Sequence, residues 1–201
     1  MLIIQHRVNT ISELQDVPSR YGVEFDVRHD NRTNHLYLNH DPGEGDDLEE
    51  YLKNFHHAFG IFNIKETGTE DRCIELAAQY KIPKSNYFFL DVEHPYIYKA
   101  SRKGVREIAI RFSEDEPIEQ AMLYKDKVDW VWIDTNTMLP LDEEIITKLS
   151  GFKTCLVSPE PWGRPGDIPV YQAKMRVLNF FPDAVMTKKQ YIPLWEKWQN
   201  E

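Results

Sequence analysis

An α/β fold of the (β/α)8-barrel (TIM-barrel) class is what this sequence predicts, and three observations predict it. Short apolar runs rich in β-branched and aromatic residues alternate with amphipathic stretches along the whole chain. The alternation repeats about eight times when one early strand and its hairpin-like partner are counted as a unit. The polar residues with chemistry to offer stand at or near the C-terminal ends of those runs, where the active sites of such barrels lie. At 201 residues the chain is short for a fold that usually takes about 250, so short loops are expected. One domain over 1–201 is predicted, with no linker or low-complexity stretch.

The first strand lies in LIIQHRVN. After it, Asn9-Thr10-Ile11-Ser12-Glu13-Leu14 offers a cap and a short helix that stops near Pro18. YGVEFDV reads as the next strand, a turn is expected at Asp30-Asn31, and Leu36 to His40 returns as its partner. Asp41-Pro42-Gly43-Glu44-Gly45 is a turn, and Asp46 and Asp47 lead into a helix from Leu48 to His57. A strand at Ile61 precedes an amphipathic helix from Glu70 to Tyr80, closed by Pro83. Further strands are expected at Tyr87 to Val92, Glu107 to Phe112, Trp130 to Asp134, Thr154 to Ser158 and Ala184 to Thr187. Between and after them come helices at Tyr96 to Lys103, Pro117 to Tyr124, Leu141 to Leu149, Gln172 to Leu178 and Ile192 to Gln199.

Composition narrows the function. A formal net charge of −9 argues against nonspecific binding to nucleic acid or an anionic membrane. No apolar run approaches ~18 residues, and no basic segment leads into a signal-like apolar stretch, so a cytoplasmic protein is expected. Cys73 and Cys155 have neither disulfide-framework nor metal spacing and read as buried apolar groups. The sequence carries no Gly-rich phosphate loop, nucleophile elbow or Cys-x-x-Cys, which weighs against kinase, esterase and redox chemistry.

The period of two in a strand puts Glu24 and Asp26 on one face and Val23, Phe25 and Val27 on the other. The same alternation lines up Leu2, Ile4 and His6, and again Leu36, Leu38 and His40. If these faces meet, two imidazoles flank two carboxylates. That set suits a divalent cation held by hard oxygens, with proton-transfer groups beside it, and the cation would offset the carboxylate repulsion. Strand-end position alone adds Asp91, Arg111, Asp134, Ser158 and Glu160. Trp162, Gly163 and Arg164 form a loop where packing or substrate contact is expected. His29, His35, His56, His57 and His94 read as surface or structural.

These residues carry a family resemblance. HR, then GVEFDV, then HD resembles the glycerophosphodiester phosphodiesterase superfamily, which includes the sphingomyelinase D type enzymes. The family's next strand bears an acidic residue followed two positions later by lysine. Here Gly60-Ile61-Phe62-Asn63-Ile64-Lys65 takes that place, with Lys65 as the lysine and Asn63 where the carboxylate stands. The resemblance implies that Glu24 and Asp26 hold Mg²⁺ or Ca²⁺, with Asn63 adding a neutral carbonyl oxygen. It implies His6 as base or nucleophile, His40 as the acid that protonates the leaving alkoxide, and Asp41 as an orienting group. Lys65 and Arg7 would meet the phosphate of a small-molecule diester, and Arg111 is a further substrate-binding candidate by position.

The likeness is specific over about the first third of the chain. The family's tryptophan-threonine step on strand seven and threonine-aspartate step on the last strand are absent, so the alcohol side of the pocket is expected to differ. A barrel that binds a phosphate ester or partner without turnover stays open. So do a lyase that forms a cyclic phosphate and another metal-dependent enzyme such as a sugar-phosphate isomerase.

Overall fold

The computed structural model describes residues 1–30 and 32–201. The turn expected at Asp30-Asn31 falls in part on position 31, outside the described residues. The strands are β1 (Leu2–Gln5), β2 (Gly22–Asp30), β3 (His35–Leu38), β4 (Asp46–Asp47), β5 (Phe59–Ile64), β6 (Tyr87–Leu90), β7 (Ala109–Phe112), β8 (Trp130–Ile133), β9 (Lys153–Val157) and β10 (Ala184–Thr187). The helices are α1 (Ile11–Asp16), α2 (Leu48–Lys53), α3 (Glu70–Gln79), α4 (His94–Ser101), α5 (Ile118–Met122), α6 (Glu143–Leu149), α7 (Ile168–Val177) and α8 (Ile192–Asn200). With β3 and β4 set aside as a hairpin extension of β2, the described residues make eight βα repeats, the order of a (β/α)8 fold.

The chain forms two compact units, one of Gln5–Lys99 and one of Met1–Ile4 with Ala100–Glu201. In the Gln5–Lys99 unit, β2 runs parallel to β5 from Gly22↔Phe59 to Val27↔Ile64, and β5 runs parallel to β6. From Val27 outward β2 turns antiparallel to β3, with Val27↔Leu38 and Asp30↔His35. One strand therefore serves both the sheet and a projecting hairpin. Phe25, on the apolar face of β2, packs 4.6 Å from Phe62 and 5.0 Å from Tyr51 of α2, ring centre to ring centre. Phe62 continues the cluster to Tyr87 and Phe89. Aromatic pairs of this kind add about 0.5–1.5 kcal/mol each beyond burial of their area. This face is held by the core, which leaves Glu24 and Asp26 committed to the other.

In the second unit β7, β8, β9 and β10 are paired in parallel in that order. Leu2 joins them through its N–H to the carbonyl of Asp183, 2.7 Å. The aromatic C-terminal stretch closes this unit as a helix, with Trp195 and Trp198 of α8 buried and the Trp195 indole N–H donating to Ser158 Oγ. Cys73 and Cys155 are free thiols inside the core.

Element ends differ from expectation where local chemistry decides. α2 stops at Lys53 rather than His57, because Asn54 turns its amide back to the Glu50 carbonyl and His57 leaves to meet the Val17 carbonyl. α7 begins at Ile168, four residues early, since Pro169 fits the first helical turn without needing its missing N–H. Among the described residues no helix is long and apolar enough to cross a membrane.

Candidate active site

Glu24, Asp26 and Arg28 follow one another on the polar face of β2, and the two carboxylates are almost wholly buried, each with 1% of its surface exposed. Each oxygen has one close donor. Glu24 Oε1 accepts from Asn63 Nδ2 at 2.8 Å, and Oε2 accepts from the Arg7 backbone N–H at 2.8 Å. His6 Nε2 stands 3.8 Å from that same Oε2. Asp26 Oδ2 accepts from Asn9 Nδ2 at 2.8 Å, and Oδ1 pairs with Lys65 Nζ at 3.1 Å. Asn9 is bound twice, since its Oδ1 takes the Asp26 backbone N–H at 2.8 Å.

Two residues adopt left-handed backbone to build this cluster. Arg7 has φ 57° and Asp91 has φ 60°. Each costs about 1–2 kcal/mol for a residue with a Cβ. At Arg7 the cost is offset by a charge-assisted bond, because the turn aims its N–H at Glu24. At Asp91 the turn leaves a carboxylate 3.7 Å from Lys65 Nζ, so the lysine lies between two acids. Strain of this kind concentrates at functional sites.

The electrostatics are unbalanced. Burial, followed by the neighbouring Asp26 charge, pushes the Glu24 carboxyl up to about 7, against the opposing pull of Asn63, the Arg7 N–H and Lys65. Burial and then the Glu24 charge push the Tyr51 phenol well up, and its hydroxyl donates to the Val8 carbonyl. Asn63 Oδ1 is buried with no hydrogen-bond donor, which costs about 1–3 kcal/mol unless a ligand supplies a partner. Glu24, Asp26 and this amide oxygen are hard-oxygen donors, and the Asp91 carboxylate stands on the other side of Lys65. Among the described residues no group of three or more His, Cys, Asp or Glu side chains is arranged to hold a metal ion.

His40 is positioned from β2. Arg28 donates from Nε at 3.1 Å and from Nη2 at 2.7 Å to the His40 carbonyl, and from Nη1 at 2.9 Å to Glu66 Oε1. Glu66 Oε2 takes the His29 backbone N–H at 2.9 Å. The loop bearing His40 is thus tied both to the carboxylate strand and to the residue after Lys65. The His40 ring stays partly exposed, with Nδ1 3.0 Å from Asp41 Oδ1.

The structure therefore gathers Glu24, Asp26, Asn63, Lys65 and His6, and links His40 to them through Arg28. Arg7 joins with its backbone N–H, while the residue itself is exposed. Arg111 belongs to the other unit, where its Nη1 lies 2.6 Å from Asp134 Oδ2. Asp134, a candidate by strand-end position, is the acceptor at the centre of that unit's network. Both its oxygens are already filled, by Arg111, the Trp132 and Trp162 indoles and the Thr135 N–H. Sequence reasoning missed Asn9, Arg28 and Glu66. Only Arg28 carried a signal, standing in the same period-two row as Glu24 and Asp26.

No protein-family model matches this sequence, and no curated protein matches it. Solved structures do match. One, from Agrobacterium tumefaciens strain C58 and provisionally named a glycerophosphoryl diester phosphodiesterase, superposes with a TM-score of 0.70 at 13% identity over 100% of this chain and 99% of its own. Another, a glycerophosphodiester phosphodiesterase from the same organism, gives a TM-score of 0.64 at 13% identity over 94% of this chain and 97% of its own. Identity this low speaks to fold alone. The chain has the (β/α)8 fold of the glycerophosphodiester phosphodiesterase-like proteins.

Proposed function

We propose that this chain is a metal-assisted phosphodiesterase acting on a phosphate diester of the glycerophosphodiester kind. The observation that carries the reading is the cluster in which Lys65 meets Asp26, His6 and the Asn63 amide N–H meet Glu24, and the Asn63 Oδ1 is left buried without a donor. The fold shared with phosphodiesterases supports it.

Glu24, Asp26 and Asn63 Oδ1 are the residues that would hold Mg²⁺ or Ca²⁺. Two carboxylates are enough for a cation that keeps waters and takes substrate phosphate oxygens into its shell. When bound, the cation offsets the charge that grows on the equatorial phosphate oxygens during displacement. Lys65 brings an ammonium group to the same oxygens, and the exposed Arg7 guanidinium is a second phosphate contact. His6 serves as base or nucleophile toward phosphorus. His40 protonates the departing alkoxide, with Asp41 at its Nδ1 leaving Nε2 to carry the proton. Arg28 and Glu66 keep the His40 loop in place, a task that spends the guanidinium on a carbonyl rather than on substrate. Arg111, a substrate-binding candidate by position, is tied to Asp134 in the other unit.

The test is phosphorus NMR on a panel of glycerophosphodiesters and lysophospholipids, with and without Mg²⁺ or Ca²⁺, beside a His6→Ala control. Metal-dependent turnover that disappears in the control supports the reading. The shift of the first product separates hydrolysis to a monoester from closure to a cyclic phosphate. An absence of turnover across the panel would favour a barrel that binds a phosphate ester without cleaving it.

A further inference from the structure

We infer a second ligand site at the N-terminal ends of β5 and β6, a cleft of about 350 Å³ in which Lys81, His56 and the Asn86 amide receive a small organic oxyanion, a carboxylate or phosphate on a short apolar body. All of it lies in the Gln5–Lys99 unit. The segment 55–58 leads into β5 and the segment 80–86 into β6, so the cleft stands at the opposite strand end from Asn63 and Lys65. The 6 residues of β5, at about 3.3 Å each, put about 20 Å between the two sites. Occupancy here needs no turnover and touches none of the groups assigned to the diester reaction.

The backbone singles out Lys81. Six described residues other than glycine have positive φ, and four of them are Asn or Asp, which tolerate it. The other two are Arg7, in the carboxylate cluster, and Lys81, at φ 58°. Lys81 closes α3, its N–H donating to the Ala78 carbonyl at 3.1 Å and the Ile82 N–H to the Ala77 carbonyl at 2.9 Å, a helix end that favours glycine. Beyond the general attraction of a helix C-terminus for a cation, this lysine gains nothing inside the chain, since among the described residues its Nζ has no ion-pair or hydrogen-bond partner.

The walls around it are fixed. His57 Nε2 lies 2.9 Å from the Val17 carbonyl, and its ring packs 5.6 Å from that of Phe55. Burial holds His57 below the ordinary imidazole value, so it stands as a neutral wall and leaves an oxyanion to Lys81 and the exposed His56. Tyr80 is held by donating its hydroxyl to Glu49 Oε1 at 2.7 Å. Asn86 Oδ1 accepts from Ser85 Oγ at 2.7 Å, which leaves Nδ2 to donate to a ligand. Phe55, Ile82 and Pro83 supply apolar surface. None of the described residues that line the cleft is acidic, in a chain with 33 Asp and Glu against 24 Lys and Arg. A preformed cleft of this size, with apolar walls, one ammonium group and few other donors, fits a small organic anion.

The probes are benzoate and phenyl phosphate, titrated into the full chain and followed by calorimetry and by the histidine ring signals in NMR. Benzamide is the neutral arm, and inorganic phosphate the arm without an apolar body. The His56 signals, assigned with His56→Gln, should move saturably with at least one of the two aromatic anions, and the tighter of them separates a carboxylate ligand from a phosphate. Benzamide and inorganic phosphate should bind more weakly than their anionic or aromatic counterparts. Lys81→Gly should lower the affinity at least about tenfold while raising the melting temperature by about 2 °C, because glycine relieves the left-handed turn and the loss of binding is then not unfolding. Lys81→Arg, which keeps the cation, should hold the affinity within about threefold. Unchanged affinity in Lys81→Gly, or saturation that shifts His6 or His40 and leaves His56 still, would overturn the site. Failure of both anions to bind at millimolar concentration would do the same, whether or not the diesterase assay succeeds.

Discussion

Glu24 with Asp26 in one unit, and Asp134 in the other, are carboxylates buried to the same degree and surrounded quite differently. Asp134 has a guanidinium at 2.6 Å and three further N–H donors, so its charge is fully compensated where it lies. The Glu24–Asp26 pair places two charges together against one ammonium, two amide side chains and one backbone N–H. One carboxyl responds by holding its proton up to about 7, and a neighbouring amide oxygen is left without a donor. Burial by itself is not informative, whereas the balance of partners is. A satisfied carboxylate organises its neighbours, and an under-satisfied pair is arranged for something the chain does not itself provide.

The largest effect expected from this contrast is at Asp134. Arg111→Ala leaves a buried charge without its cation and should cost about 3–5 kcal/mol in urea denaturation. A loss below about 1 kcal/mol would mean the neutral donors suffice, and the contrast would collapse.

Next comes Glu24. Its folded-state carboxyl is raised from 4.5 to about 7, so the folded chain holds more protons than the unfolded chain between those values. Stability from this group is therefore present below about 4.5 and is lost as pH rises toward 7, on the order of 3 kcal/mol. Glu24→Gln should flatten that slope. Added Mg²⁺ or Ca²⁺ should raise the melting temperature of the parent chain more at pH 8 than at pH 5, and much less in the variant. A slope that survives in Glu24→Gln would place the imbalance elsewhere.

Asn63→Asp adds the third carboxylate. It should tighten cation binding by about tenfold or more in calorimetric titration, since each added anionic ligand strengthens a hard-cation site. Unchanged affinity would show that Asn63 does not face the cation.

The smallest effect concerns Arg28. Arg28→Gln should lower kcat about fivefold with KM little changed, the energy of a hydrogen bond or so spent on positioning His40. Combined with His40→Ala it should add almost nothing, whereas two independent losses would multiply.

Much of this was legible before the fold was known. The alternation of runs predicted the βα order, because strand and helix have different hydrophobic periods and each must bury one face. The same period of two predicted that Glu24 and Asp26 share a face, and it also placed Arg28 with them, although a charged residue near a strand end resembles a solvated one. Asn9 and Glu66 had no such signal. Both are loop residues brought to the cluster by chain reversal, and nothing in local sequence distinguishes a loop amide that binds a carboxylate from one that meets water.

The sequence by itself determined the strand pattern, the facing of the acids on β2 and the set of chemical groups available to the first third of the chain. Tertiary structure alone decided which of those groups meet. It turned the Arg7 N–H onto Glu24 through a left-handed residue and used Arg28 to hold the His40 loop. It satisfied Asp134 while leaving Asn63 Oδ1 bare. The reason is physical: periodicity is a local property of the backbone, whereas charge compensation depends on distances of a few ångströms between residues far apart in the chain.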